Sequence, residues 1–181
     1  MTYTPVKHGF IQDAPVAQMA TANAGQPAFA SDYALMDSAI VGEAGQAGLE
    51  AGLAVVAKSV TNPVRIGLNQ FTVSLPETGA TGADIYGVVV RNAQMKSNAA
   101  GRPCWFKGDL CTVARAARSG ARIWARVVDG AAPTAGSAAY VAIGGNDAGK
   151  FADSTANGAV AVTTMRFMSE AKNGIALIEL L

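Results

Sequence analysis

Side chains on which most enzyme active sites depend are scarce in this chain of 181 residues. It contains one histidine, His8, which lies near the N-terminus in a segment without regular periodicity. A Ser-His-Asp or Cys-His arrangement would have to use His8, and a chain end is a poor place for a preorganised base. The acidic residues are scattered, and no pair has the spacing of two cooperating carboxylates. The sequence therefore predicts a protein that is not an enzyme.

Cysteine is equally scarce. Cys104 and Cys111 have neither the CxxC spacing of a redox pair nor a histidine nearby to complete a zinc site. We expect two partly buried free thiols. The glycine-rich stretch from Gly144 to Gly149 could suggest a calcium loop, but Asp147 is its only acidic residue. The sequence thus predicts no metal site and no cofactor.

Charged residues make up 15% of the chain, against about 25% in an average soluble domain, and the net charge is +1. So small a positive excess argues against direct binding of nucleic acid. No apolar run approaches the roughly 20 residues of a membrane span, and no signal peptide is evident. We expect a protein made and kept in the cytosol, with part of its surface covered by a partner. A monomer rich in small residues is the alternative.

The first 35 residues differ from the rest of the chain, because they contain prolines and many small residues and show no stable periodicity. Residues 1–35 predict an extended N-terminal arm, or a loop-rich lead-in, that is either disordered or held by another molecule. Residues 36–181 are predicted to form one β-rich domain.

From residue 38 onward, short apolar runs alternate with turn residues. Phe71, Val73 and Leu75 alternate with polar residues, which is the period-2 pattern of a half-buried strand. The run "IYGVVVR" is β-branched and aromatic, which also favours a strand. The stretches "PETGATGAD" and "NAQMKSNAAGRP" are predicted to be loops, and the glycine-rich "GQAGLEAG" separates two apolar runs. The pattern indicates an all-β fold, a small barrel or sandwich of about ten short antiparallel strands.

Two structures are compatible with the stretch from Leu110 to Val128. Four arginines fall on one face of a hypothetical helix: Arg115, Arg118, Arg122 and Arg126. Ser119-Gly120 interrupts that helix, and the flanks are rich in valine, isoleucine and tryptophan. We therefore favour a hairpin that turns at residues 118–120 and directs three side chains to the core: Ile123, Ala125 and Val127.

These arginines are the densest positive cluster in the sequence. A solvated sheet surface explains them most simply, and contact with an acidic neighbouring subunit is the second interpretation. Nucleic-acid binding ranks third, because it would require aromatic stacking partners beside the arginines.

Residues Gly144 to Lys150 spell G-x-x-x-x-G-K, which is nearly the phosphate-binding loop of nucleotide hydrolases. In that motif a serine or threonine follows the lysine to hold magnesium, and a helix begins there. Here Phe151 takes that position, and no amphipathic helix pattern follows. The stretch is therefore predicted to be the tip of a β-hairpin rather than a nucleotide site.

Three segments resemble the structural cement, or capsid decoration, proteins of tailed bacteriophages: "YGVVVRNA", the block "GDLCTVARAARSGARIWARVVDGAAPTAGSAAYVAIGGNDAGKFADS", and the closing "TTMRFMSEAKNGIALIELL". The resemblance covers roughly residues 85–181, with looser agreement over 36–58. It rests on the order of strands and turns, since each motif is short and apolar.

The resemblance implies a β-rich protein that binds the outer surface of the assembled capsid and stabilises contacts between major capsid subunits. It implies two kinds of partner, the major capsid protein and further copies of this chain in a dimer or trimer. It also implies assembly in the host cytoplasm and a location on the virion, and it supplies no catalytic residue. Candidate contacts with the capsid or a second copy are Phe10, Phe29, Tyr33, Arg115, Arg118, Arg122 and Arg126.

Two alternatives share the β-rich, weakly charged profile. One is another virion component, such as a baseplate or fibre-tip domain. The other is a ligand-binding β-barrel, which would need a concave pocket with convergent polar groups.

Overall fold

The computed structural model of the chain describes residues 22–28, 36–44, 47–59, 71–115 and 120–181. These residues form thirteen strands and two short 3-10 turns, at Gly82–Asp84 and Ala156–Gly158. The strands are β1 (Met36–Val41), β2 (Leu49–Glu50), β3 (Ala54–Ser59), β4 (Phe71–Ser74), β5 (Ile85–Val89), β6 (Lys96–Ser97), β7 (Pro103–Trp105), β8 (Leu110–Arg115), β9 (Arg122–Arg126), β10 (Ala138–Ala142), β11 (Phe151–Ala152), β12 (Ala159–Phe167) and β13 (Ile175–Leu180). The prediction of an all-β fold is confirmed.

Five strands close into a small barrel in the order β1-β4-β3-β5-β8, and β8 pairs back onto β1. Strands β1 and β4 are parallel, and the other neighbours are antiparallel. Because side chains alternate between the two faces of a strand, each strand sends apolar residues inward. A buried cluster therefore fills the interior, with one valine from every strand: Val41, Val55, Val73, Val89 and Val113. The shared face predicted for Phe71, Val73 and Leu75 packs in this same cluster.

The second layer is a five-stranded antiparallel sheet in the order β11-β10-β12-β13-β9. It curls, because Val127, just after β9, forms an isolated bridge with Phe151 at the far end of the sheet. Its inner face and the outer wall of the barrel share one buried cluster, which includes Val56, Val88 and Ala114 of the barrel. Barrel and sheet therefore form one body with a continuous core.

A third sheet consists of three short strands in the order β2-β7-β6. Strand β2 lies in the glycine-rich stretch, and β6 and the start of β7 lie in the polar stretch that we predicted to be a loop. These strands escaped the prediction because they are too short to show a period, and because β2 pairs over a long distance, for example Glu50 with Cys104. Cys104 and Cys111 are free, buried thiols, as expected.

The predicted hairpin between β8 and β9 is wrong. Strand β8 pairs with β1 and β5 in the barrel, whereas β9 pairs with β13 in the five-stranded sheet. The chain therefore crosses between layers here, and of the turn predicted at residues 118–120 only Gly120 lies within the described residues. The predicted core face of β9 is confirmed, since Ile123, Ala125 and Val127 are all buried.

The predicted hairpin tip at Gly144–Lys150 is confirmed. Strands β10 and β11 pair antiparallel on either side of it, with Val141 opposite Phe151. Gly144 and Gly145 have positive φ angles of 68° and 66°, which side-chain-bearing residues adopt only under strain. The Lys150 Nζ atom lies 2.7 Å from Asp147 Oδ1, so the lysine that a phosphate would need is already paired.

Residues 22–28 lie along β9. Backbone N–H groups of Gly25 and Ala28 donate to carbonyls of β9, and the Trp124 N–H donates to the Gln26 carbonyl. The Arg91 N–H donates to the Gly25 carbonyl at 2.7 Å, which ties the segment to the end of β5. The division of the chain at residue 35 into arm and domain stays a prediction. Candidate contacts Phe10, Phe29, Tyr33 and Arg118 lie outside the described residues.

Among the described residues, the structure contains no helix long and apolar enough to cross a membrane.

Candidate partner-binding surfaces

The arginines that are close in sequence are separated in the structure. Arg115 lies on the barrel, 4.0 Å from Asp37 and 5.5 Å from the centroid of the Tyr86 ring. Arg122 and Arg126 lie on β9, and they pair with two different glutamates. The single positive cluster inferred from the sequence is therefore not formed by these three residues, although each remains a candidate contact.

A charged row crosses the outer face of the five-stranded sheet. Glu179 of β13 stands in register between Arg122 of β9 and Arg166 of β12. The Arg122 Nε–H donates to Glu179 Oε1 at 3.1 Å, and the Arg166 Nε–H donates to Glu179 Oε2 at 2.7 Å. The hydrogen bond from Arg166 lowers the pKa of Glu179 most, and the hydrogen bond from Arg122 and the charges of both arginines lower it further. Together they keep this pKa below its usual range, although burial raises it.

We expect Glu179→Gln to lower the free energy of unfolding by about 1–2 kcal/mol at pH 7, because two half-exposed arginines lose a buried counter-ion. The pKa of Glu179 is lower in the folded than in the unfolded chain, so its contribution is complete above the unfolded value of 4.5. That contribution is lost as the pH falls through the folded pKa. Urea unfolding of both proteins between pH 3 and 7 should therefore show the difference shrinking at low pH.

The control is Glu77→Gln, since Glu77 is 70% exposed and pairs only with the exposed Lys58. This change should alter the free energy of unfolding by less than about 0.5 kcal/mol at every pH. A pH-independent difference for Glu179→Gln would contradict the ion-pair explanation.

Beside the charged row lies an apolar row. Trp124 of β9 is paired with Leu177 of β13, and the Met168 N–H donates to the Leu177 carbonyl at 2.7 Å. All three residues are half-buried. Trp124 and Leu177 alternate with buried neighbours and Met168 follows the buried Phe167, so they belong to the face that points away from the core. Tryptophan, methionine and arginine are enriched in protein interfaces. This outer face therefore has the composition of a contact surface.

Two adjoining clefts, each of about 530 Å³, lie near the end of this apolar row. One of them is lined by Arg126 and Ile175, which are paired with each other two positions along from Trp124 and Leu177. Both are lined by Asn23, Arg91 and Pro103. The second reaches the tight turn that joins β12 to β13, and four cations line it: Arg91, Arg102, Arg126 and Lys172. We call it the basic cleft.

The buried Glu50 forms ion pairs with two of these cations. The Glu50 Oε2 atom lies 3.1 Å from Arg126 Nε and 3.5 Å from Arg102 Nη1, and the Asn98 amide donates to Glu50 Oε1 at 2.8 Å. Burial lowers the pKa of Arg126, Glu50 opposes this, and repulsion from Arg102 and Arg91 adds to it. Of the four cations that line the basic cleft, Arg102 and Arg126 thus pair with Glu50, and Arg91 and Lys172 do not.

Comparison with known proteins shows the family to which the chain belongs. A family described as "Structural cement protein (E217 gp24/Pam3 gp6)", the phage cement family, matches residues 11–181. The chain belongs to this family. Its members are structural proteins of phage capsids, and the chain is accordingly a structural protein that stabilises a phage capsid.

A solved structure titled "The capsid of Myoviridae Phage XM1" contains a chain with the same fold as this cement protein. The TM-score is 0.54, the sequences are 18% identical, and the match covers 80% of this chain and 81% of the other. At that identity the likeness establishes the fold alone. No curated protein sequence matches the chain.

Sequence reasoning led to the cement family but missed the basic cleft. Arg91 and Arg102 stand at the two ends of a polar stretch, while Arg126 and Lys172 lie far along the chain. The only signal in the sequence was that Arg91 ends the predicted strand "IYGVVVR". Their convergence depends on how three sheets pack together.

Proposed function

We propose that this cement protein binds the outer surface of the assembled shell and stabilises contacts between major capsid protein subunits there. The observation that carries the proposal is the family match across residues 11–181. In this role the chain acts by binding, without catalysis or a cofactor. Assembly in the host cytoplasm and association into a dimer or trimer belong to the same proposal.

The fold supports this role in a physical sense. One continuous core joins barrel and sheet, so the domain can transmit force between two contacts without its parts moving separately. A contact of about 1,000 Å² in total is needed for stable placement of each copy. Many copies on one symmetric shell then add their effects, since a shell bridged at several points loses a subunit only when several contacts break.

The arm offers a direct test. Purified chain should co-sediment with shells that lack it and raise the temperature at which those shells rupture. A variant without residues 1–30 should lose about tenfold in occupancy, because one of several linked contacts is removed. A variant without residues 1–21 is the matched comparison, since it keeps the segment that hydrogen-bonds to β9.

Unchanged occupancy of both deletion variants would refute a role for the arm and leave the remaining surface responsible. Failure of the complete chain to bind shells would overturn the proposed function. The position of a label on this chain in whole particles tests the second candidate, a baseplate or fibre-tip component. A label confined to the tail would favour that candidate over a cement protein.

A further inference from the structure

We infer that the basic cleft receives an acidic segment of the major capsid protein, whose carboxylates contact Arg91 and Lys172. The inference rests on the proposed function and adds to it the site of contact and the chemistry of the partner segment.

Unpaired positive charge is concentrated at the basic cleft. Nine ion pairs form among the described residues, and every described lysine and arginine takes part in one except Arg91 and Lys172. Both of these exposed cations line the basic cleft. With Arg102 and Arg126 sharing Glu50, the cleft carries three more positive than negative side chains, whereas the whole chain has a net charge of +1. The positive excess is therefore concentrated where a partner could neutralise it.

The cations Arg91 and Lys172 stand on fixed backbone. Lys172 precedes the two-residue turn Asn173–Gly174, whose φ angles are 53° and 72°, as in the tight type I′ turn of a hairpin. The Lys172 N–H donates to the Ile175 carbonyl at 2.8 Å, which closes the turn. Arg91 is tied through its backbone to Gly25, at which any Cβ would lie 2.7 Å from Ala51 Cβ. A binding site on rigid elements loses little entropy when it is occupied.

Two of the cations that line the cleft, Arg102 and Arg126, already pair with a carboxylate, that of Glu50. The Glu50 carboxylate forms ion pairs with two guanidinium groups and accepts a hydrogen bond from one side-chain amide. These are the donor types that suit a carboxylate. Arg126 is only 17% exposed, so Glu50 neutralises a largely desolvated charge and fixes its orientation. Arg91, Lys172 and the Asn173 amide offer the same chemistry at the open side of the cleft.

A carboxylate fits this cleft better than a nucleic acid does. None of the described residues that line either cleft is aromatic, so unpaired bases would find no ring to stack on. The cleft is also a local feature of about 530 Å³ rather than a basic stripe along the molecule.

The test compares two double variants of equal net charge. In Arg91→Ala/Lys172→Ala the cleft loses its unpaired cations. In Lys58→Ala/Lys150→Ala two lysines are removed that do not line it and that pair with Glu77 and Asp147. Shell binding is measured by co-sedimentation from 50 to 500 mM NaCl. We expect the cleft variant to bind about tenfold more weakly at low salt, with a flatter salt dependence, and the control to bind like the original chain.

A second experiment uses the isolated protein, with hexaglutamate as the probe. Hexaglutamate should shift the NMR signals of the residues that line the cleft, hexaglutamine should not, and Arg91→Lys should retain most of the effect. Equal shell binding by the two double variants would overturn the inference, as would displacement of the chain from shells by duplex DNA but not by hexaglutamate. If the original chain fails to bind shells, the proposed function is wrong. The experiment with hexaglutamate still tests whether the cleft binds carboxylates.

Discussion

Replacement of Phe151 by alanine is expected to lower the free energy of unfolding by about 3–5 kcal/mol, the usual cost of deleting a fully buried aromatic side chain. Phe151 is 0% exposed, and its ring meets Phe167 edge to face with 6.4 Å between the centroids. It pairs with Val141 on one side and bridges to Val127 on the other, so it lies where the curled sheet meets itself.

The measurement is urea unfolding at pH 7, where the midpoint should fall and the slope should stay nearly constant. Phe151→Leu is the matched comparison, because it keeps most of the volume and should cost about 1–1.5 kcal/mol. Equal costs for the two variants would show that the packing of the ring at this junction is not what stabilises the sheet.

The second large effect is expected at Gly87, in the middle of β5. A Cβ atom there would overlap the carbonyl oxygen of Ala114 and lie 2.8 Å from Val113 Cγ1. Both neighbours belong to β8, which the closed barrel holds in place on its other side through β1. Gly87→Ala must therefore push two paired strands apart, and we expect a loss of about 3 kcal/mol or more, or a chain that no longer folds.

Gly108→Ala separates this steric effect from the conformational preference of glycine. Gly108 has a φ angle of +85°, but no atom lies within 4 Å of the position that a Cβ would occupy, so only the backbone strain of about 1–2 kcal/mol applies. Calorimetric melting temperatures of both variants should differ clearly. If Gly108→Ala proved the more damaging, the close approach between β5 and β8 would be wrong.

Local patterns predicted much of the fold. The alternation at Phe71, Val73 and Leu75 gave the correct inward face of β4, and the glycines of Gly144–Lys150 gave a real hairpin tip. In both cases neighbours in sequence decide the conformation, through side-chain alternation or through the φ angles that a turn demands.

Long-range pairing was beyond the reach of the same reasoning. Strands β8 and β9 are adjacent in sequence and look like a hairpin, yet their strand partners lie in two different sheets. The two-residue strand Leu49–Glu50 has no period to recognise, and it exists because β7 lies beside it. For the same reason the linear arginine cluster was misleading, and the cleft that joins Arg91 to Lys172 was not foreseen.

The way the sheets end has a consequence for a protein concentrated on the surface of a shell. Free strand edges invite neighbouring copies to add strands to one another, which leads to aggregation. Among the described strands, the barrel has no edge, the outer side of β9 is occupied by residues 22–28, in which Pro27 bridges to Ile123, and β11 is bridged to Val127. Crowded copies that meet through the barrel or through these two ends of the five-stranded sheet can therefore lie side by side without polymerising, and their contacts there are left to side chains, which determine the partner.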